Sequence, residues 1–162
     1  IIDSIHYLAE NQYIDKNRLC IMGASFGGYS AIQSSIISPE LFKCTIARSG
    51  IYDLPLLLDG EEPEVIHELN ITIGDAILQN AHSPINSISA LKSPVLLVHG
   101  TKDNRTPLEQ AEVLIEQLKK HNKRYEWLEI KNEGHYLYNT KNRINYHDKV
   151  LQFLNKYNPV IL

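Results

Sequence analysis

Apolar residues in this chain fall into short unbroken runs, separated by segments in which they recur at helical spacing. Leu19-Cys20-Ile21-Met22 is one such run, and Pro94-Val95-Leu96-Leu97-Val98 is another, closed by His99-Gly100. A short continuous apolar run bounded by breakers reads as a strand buried on both faces, as in a parallel sheet. Ile2, Ile5, Leu8 and Ala9 instead recur on one face of a helix. The pattern predicts helix over 1–12, strand over 19–24, helix over 26–38 and strand over 43–48. It then predicts strand over 94–99, helix over 107–121, strand over 124–130 and a last helix over 139–157. Residues 49–93 show no sustained period and read as irregular. Strands alternating with helices imply an α/β protein with a parallel sheet and right-handed crossovers. No repeat, low-complexity tract or Gly/Ser linker interrupts the 162 residues, so one domain is expected.

The first candidate chemistry sits at a strand-to-helix junction. Gly23-Ala24-Ser25-Phe26-Gly27-Gly28 follows the first apolar run and opens the second predicted helix. G-x-S-x-G in that context is a nucleophile elbow, which holds the serine at the tip of a strained turn. Gly23 and Gly27 are expected where side chains would collide across the turn, and Gly28 where the helix packs close to the sheet. The helix N-terminus behind Ser25 places N–H groups and a positive dipole end where an oxyanion would form.

Two further residues sit just past the ends of predicted strands. Asp103 lies in Thr101-Lys102-Asp103-Asn104-Arg105-Thr106-Pro107, and His135 in Asn132-Glu133-Gly134-His135. Taken singly, Asp103 reads as a turn former or helix cap, and His135 as a solvated loop residue. Together with Ser25 they give the order Ser, Asp, His of the α/β-hydrolase triad, at the end of the sheet where open α/β proteins collect their chemistry. Serine needs a base to take its proton. Histidine titrates near neutrality and can return that proton to a leaving group, and a carboxylate fixes its tautomer.

Gly23 to Tyr29, Ser83-Pro84-Ile85-Asn86, His99-Gly100-Thr101-Lys102-Asp103, Gly134-His135 and Tyr13-Ile14-Asp15-Lys16-Asn17-Arg18-Leu19 together resemble the catalytic domain of the prolyl oligopeptidase family. The likeness is to its dipeptidyl-peptidase and acylaminoacyl-peptidase branches and runs over nearly the whole chain. It implies Ser25 as nucleophile, Asp103 as triad acid, His135 as base and the Phe26 backbone N–H as one oxyanion donor. It also implies that residues 1–162 are the C-terminal portion of an α/β-hydrolase domain, a mostly parallel sheet of about four strands flanked by helices. The nucleophile strand would then lie at a sheet edge, open to a second copy of the chain. The second oxyanion donor and the family's β-propeller would lie outside this chain, so weak activity or none is expected from it alone. Ile51, Leu54 and Leu57 fall near the family's substrate pocket. They are aliphatic where prolyl-specific members carry aromatic rings, and each reads equally as core. The implied function is a serine peptidase acting on short peptides through an acyl-enzyme. A carboxylesterase or lipase-like hydrolase with the same triad, or a non-catalytic dimerising fragment, are the alternatives.

Composition narrows the partners. A hydrophobic content of 43% supports one core, and a net charge of −3 argues against a polyanion-binding face. No apolar run reaches membrane-spanning length and no signal peptide is visible. Neither nucleic acid nor membrane is therefore expected as a partner, and the resemblance implies a peptide substrate. The chain opens on Ile1 and its one methionine is Met22, so it reads as part of something longer. Cys20 and Cys44 read as core thiols rather than a disulfide, which points to the cytoplasm. Glu61, Glu62, Glu64 and Glu68 around Pro63 read as a solvated loop and helix first turn rather than a rim for basic substrates. Lys119, Lys120, Lys123 and Arg124 suit a helix C-terminus. His99 reads as structural, with support of the site as its alternative. His6, His67, His82, His121 and His147 show no zinc-ligand spacing, and no metal or cofactor is expected.

Overall fold

Every residue of the strand Val95–Gly100 is buried, and its side chains divide the interior into two layers. Val95 and Leu97 point to one face, where they join Ile32, Ile36, Ile88, Leu114 and Leu118. Leu96 and Val98 point to the other, against Tyr146, Val150 and Phe153. This alternation follows from the two-residue period of a strand. It explains why the run is apolar throughout: both faces are covered by helices.

The computed structural model describes residues 1–59 and 62–160. Glu61 of the acidic cluster lies outside them. The sheet has four parallel strands, β1 (Cys20–Ala24), β2 (Cys44–Arg48), β3 (Val95–Gly100) and β4 (Tyr125–Ile130), in spatial order β1-β2-β3-β4. The helices of the two layers are α2 (Phe26–Ile37) and α6 (Glu109–Lys120) on one face and α7 (Thr140–Tyr157) on the other. α1 (Ile2–Glu10) precedes β1 and buries no residue. β1 is an edge strand that pairs with β2 alone among the described residues, and its Met22 is 55% exposed.

Two expectations are corrected here. Residues 49–93 are not irregular: they hold α3 (Leu54–Leu57), α4 (Pro63–Ile73), α5 (Ala76–His82) and a 3-10 helix over Pro84–Ala90. Short helices bury too few residues to show a period, and their stability comes from ends and buried polar anchors. Asp53 caps Leu56 N–H at 3.2 Å, and Asp75 caps the N–H groups of Ile77 and Leu78 at 3.1 Å each. Gly74, at φ +88°, ends α4 where a side chain would be strained. The Ser83 hydroxyl accepts from Leu54 N–H (2.9 Å) and donates to the Gln79 carbonyl (2.8 Å). Buried Gln110 of α6 accepts from the N–H groups of Tyr52 and Asp53 and donates to the Asp53 carbonyl.

The second correction concerns the cysteines, which form a disulfide. Cys20 and Cys44 face each other as the first pair of the β1–β2 ladder, with Cα atoms 4.7 Å apart, within bridging distance. Parallel register brings them together, and register is invisible from the spacing of two cysteines in sequence. Joined, they no longer speak for a reducing compartment. No helix among the described residues is long and apolar enough to cross a membrane.

Candidate active site

Ser25 is the hinge between β1 and α2 and carries φ +57°, ψ −126°. A non-glycine residue in this region costs roughly 1–3 kcal/mol, and surrounding contacts must hold it there. Ser25 N–H donates to the Arg48 carbonyl at the end of β2 (2.9 Å), and Ser25 O accepts from Gly28 N–H (2.8 Å) and Tyr29 N–H (3.2 Å). A Cβ on Gly23 would lie 2.0 Å from the Gly27 carbonyl oxygen, so the turn closes only on glycine there. Gly27 differs from expectation: a Cβ on it meets nothing within 4 Å, because it is Gly27's backbone, not its missing side chain, that crowds Gly23. Gly28 lets α2 approach the sheet, since its Cβ would sit 3.0 Å from Gly50 Cα. Phe26 opens α2 with its ring 67% exposed and stacked on Tyr29 at 5.4 Å. Its N–H belongs to the first turn, which has no intrahelical acceptors.

Asp103 and His135 are in direct contact. His135 Nδ1 lies 2.9 Å from Asp103 Oδ2 and 3.2 Å from Oδ1, and both residues are buried. Asp103 Oδ1 also accepts from Arg105 N–H (3.0 Å) and Thr106 N–H (2.9 Å). The aspartate is therefore both a turn former and a histidine partner. Burial works to raise its pKa, but the Thr106 N–H, the His135 ring and the Arg105 N–H together hold it below the ordinary carboxylate range. An ionised carboxylate on Nδ1 leaves Nε2 as the histidine nitrogen able to accept a proton.

The two loops fit because β3 ends in glycine. A Cβ on Gly100 would lie 2.5 Å from the Glu133 carbonyl oxygen and 2.7 Å from that of Gly134. Lys102 N–H donates to the Glu133 carbonyl (2.8 Å), and Asn132 N–H to Thr101 Oγ1 (2.9 Å). His99, fully buried on β3, donates Nε2–H to the Thr106 carbonyl (2.8 Å), and this nitrogen lies 3.5 Å from Asp103 Oδ2. Burial keeps its imidazole below the usual histidine range, hence neutral at pH 7. On the outer side of His135, Tyr136 packs edge-on at 5.4 Å and carries Arg105 over its own ring at 5.3 Å.

Ser25 and His135 are joined through Arg48 rather than by a direct hydrogen bond. Its carbonyl takes Ser25 N–H at 2.9 Å, and its Nη1 donates to the His135 carbonyl at 2.6 Å. Arg48 carries no motif in the sequence, and a cation ending a buried strand was the one available signal. Of the expected pocket residues, Leu54 is buried at the start of α3, while Ile51 and Leu57 are half-buried. A shallow hollow of about 380 Å³ beside them is lined by Asp53, Pro55, Leu56, Leu58 and Asp59. A second hollow, of about 910 Å³, lies among α1, the 12–17 loop and Ser38–Leu41. Those segments lead into β1 and β2, so it opens at the opposite end of the sheet from Ser25.

The model of the prolyl oligopeptidase family matches residues 1–159. The chain belongs to that family. Prolyl oligopeptidase relatives include dipeptidyl-peptidase 5 of Aspergillus oryzae, 28% identical over 167 residues, covering 99% of this chain and 23% of the relative. Inactive dipeptidyl peptidase 10 of Rattus norvegicus is also 28% identical, over 153 residues, covering 94% of this chain and 19% of the relative. Among solved structures, a puromycin-hydrolysing peptidase of Mycobacterium tuberculosis superposes with TM-score 0.89 at 23% identity, over 99% of this chain and 25% of that one. The acylaminoacyl peptidase of Pyrococcus horikoshii gives 0.85 at 22%, over 98% of this chain and 27% of that one. These likenesses show the α/β-hydrolase fold. The chain spans about a fifth to a quarter of the length of the relatives it matches.

Proposed function

We propose that this chain carries the reacting groups of a serine-type peptidase. Ser25 Oγ attacks the substrate carbonyl carbon while its proton passes to His135 Nε2, and the Asp103 carboxylate stabilises the imidazolium through Nδ1–H. The Phe26 N–H donates to the developing oxyanion. As the C–N bond breaks, His135 returns the proton to the amine, and water then hydrolyses the acyl-serine by the same route. Ile51, Leu54 and Leu57 offer an aliphatic wall for the acyl-side residue. The observation that carries this reading is the arrangement at Arg48: one residue holds the strained Ser25 by its carbonyl and the Asp103-bound His135 by its guanidinium.

Labelling with a fluorophosphonate tests it. The expected result is covalent modification that Ser25→Ala abolishes and His135→Ala slows by roughly 10⁴-fold or more. Labelling that survives Ser25→Ala would overturn the assignment of the nucleophile. Hydrolysis of an aminoacyl amide as well as an aryl ester by the unlabelled protein separates a peptidase from a carboxylesterase. A non-catalytic module that pairs through β1 is a second reading, favoured by the open β1 edge with its exposed Met22. It requires a dimer in sedimentation that Met22→Lys dissociates, together with no labelling.

A further inference from the structure

His135 sits in a loop, between the end of β4 at Ile130 and the start of α7 at Thr140. Its ring is held by Asp103 and its carbonyl by Arg48. Neither contact fixes the course of the chain through the loop. The residues before His135 are anchored on the Asp103 loop through the Glu133 carbonyl and Asn132 N–H. The residues after it are gathered by the Glu133 side chain. Oε2 accepts from Tyr138 N–H (3.1 Å), and Oε1 accepts from Asn139 N–H (2.8 Å) and Asn142 Nδ2 (2.9 Å). Glu133 is only 5% exposed, and none of its hydrogen-bond donors is a charged side chain.

A buried carboxylate survives in its ionised form only when its lone pairs are occupied, and amide N–H donors to an anion are the strong kind of hydrogen bond. Here they reach from residue 133 to residues 138 and 139, so they close a ring of chain in which His135 lies two residues from the closure. Oε1 also receives Asn142 Nδ2, which ties that ring to the first turn of α7. The hydroxyl or amide of a smaller residue could not reach all of these donors, and glutamine would turn an NH₂ towards one of them.

We infer that Glu133 is the positioning residue for His135: its carboxylate closes the 133–139 loop and so holds the imidazole on Asp103. The consequence for catalysis rests on the peptidase reading above, whereas the closure of the loop can be read without it. The experiment uses the full chain with ¹⁵N-labelled histidine. In the wild type, the His135 Nδ1–H on Asp103 is expected as a downfield, slowly exchanging proton resonance, identified by its loss in Asp103→Asn. Glu133→Gln is expected to keep a cooperative thermal transition while that resonance exchanges into water, and fluorophosphonate labelling is expected to slow by about 10-fold to 100-fold. Asn142→Ala, which leaves both backbone donors in place, should move both readouts the same way by less. A Glu133→Gln protein that keeps the resonance and the labelling rate would overturn the inference, as would a wild type without the resonance. If Glu133→Gln does not fold, Asn142→Ala decides, and unchanged readouts there overturn it. Absence of labelling in a wild type that shows the resonance would sink the peptidase reading and leave the role of Glu133 standing.

Discussion

Gly100 is the point at which the strand carrying Asp103 meets the loop carrying His135, and it tolerates no side chain. A methyl group there would press on two backbone carbonyl oxygens within 2.7 Å, and that of Glu133 is held by Lys102 N–H. Gly100→Ala is expected to destabilise the fold by about 1–3 kcal/mol and to separate the Asp103–His135 pair. Denaturant titration checks the first, and loss of the protected His135 proton checks the second. An unchanged midpoint would mean that the two loops approach less closely than the geometry requires. Gly27 teaches the opposite lesson. Its spacing in the motif suggests a steric need, yet a Cβ there would meet open space.

At the scale of elements, what was legible had a sequence period or a motif order. β3 is buried on both faces and reads as an apolar run, and all four strands lie within about a residue of their expected limits. Asp103 and His135 were legible because Ser-Asp-His order and strand ends restrict where they can fall. What was not legible depends on contacts between distant residues. α3, α4 and α5 are held by caps and by Gln79, Ser83 and, at the start of α3, Gln110, whose partners no spacing reveals. Arg48 acts on Ser25 and His135, both remote in sequence, whereas Glu133 acts within its own loop on donors that no motif marks. The Cys20–Cys44 bridge belongs to the same class, since it depends on which strands are neighbours. It closes a separation of 24 residues, for which loop entropy predicts about 3 kcal/mol of stabilisation. Dithiothreitol should lower the denaturation midpoint accordingly and should leave a Cys20→Ser/Cys44→Ser double variant unmoved. Equal sensitivity in that variant would show that the reductant acts elsewhere.

For the whole molecule, buried titratable groups set the response to acid. His99 is held below the ordinary histidine range by burial, so the unfolded chain binds its proton first. Stability is therefore full above about pH 6.5 and declines as pH falls below that value. Asp103 and Glu133 are also depressed. Asp103 owes this to N–H donors and His135 that outweigh its burial, and Glu133 owes it chiefly to Asn142. Their contribution is present above the unfolded values near about pH 4 and is lost as pH falls through the lower folded ones. Denaturant titrations between pH 7.5 and pH 3.5 should show a shallow decline followed by a steeper one, and His99→Gln should remove the first. A first decline that persists in His99→Gln would assign it to another group. The sheet edge has a different consequence. β1 pairs with a single strand among the described residues, so its lengthwise register in the sheet is set by the β1–β2 ladder. A slip of one residue would carry Ser25 about 3.3 Å along β2, away from the Arg48 carbonyl. The cystine sits on the first rung of that ladder, and Ala24 opposite Arg48 forms the last. A covalent bond at the far end of the strand pair thus serves as a length standard: it sets, at a distance, which carbonyl Ser25 meets.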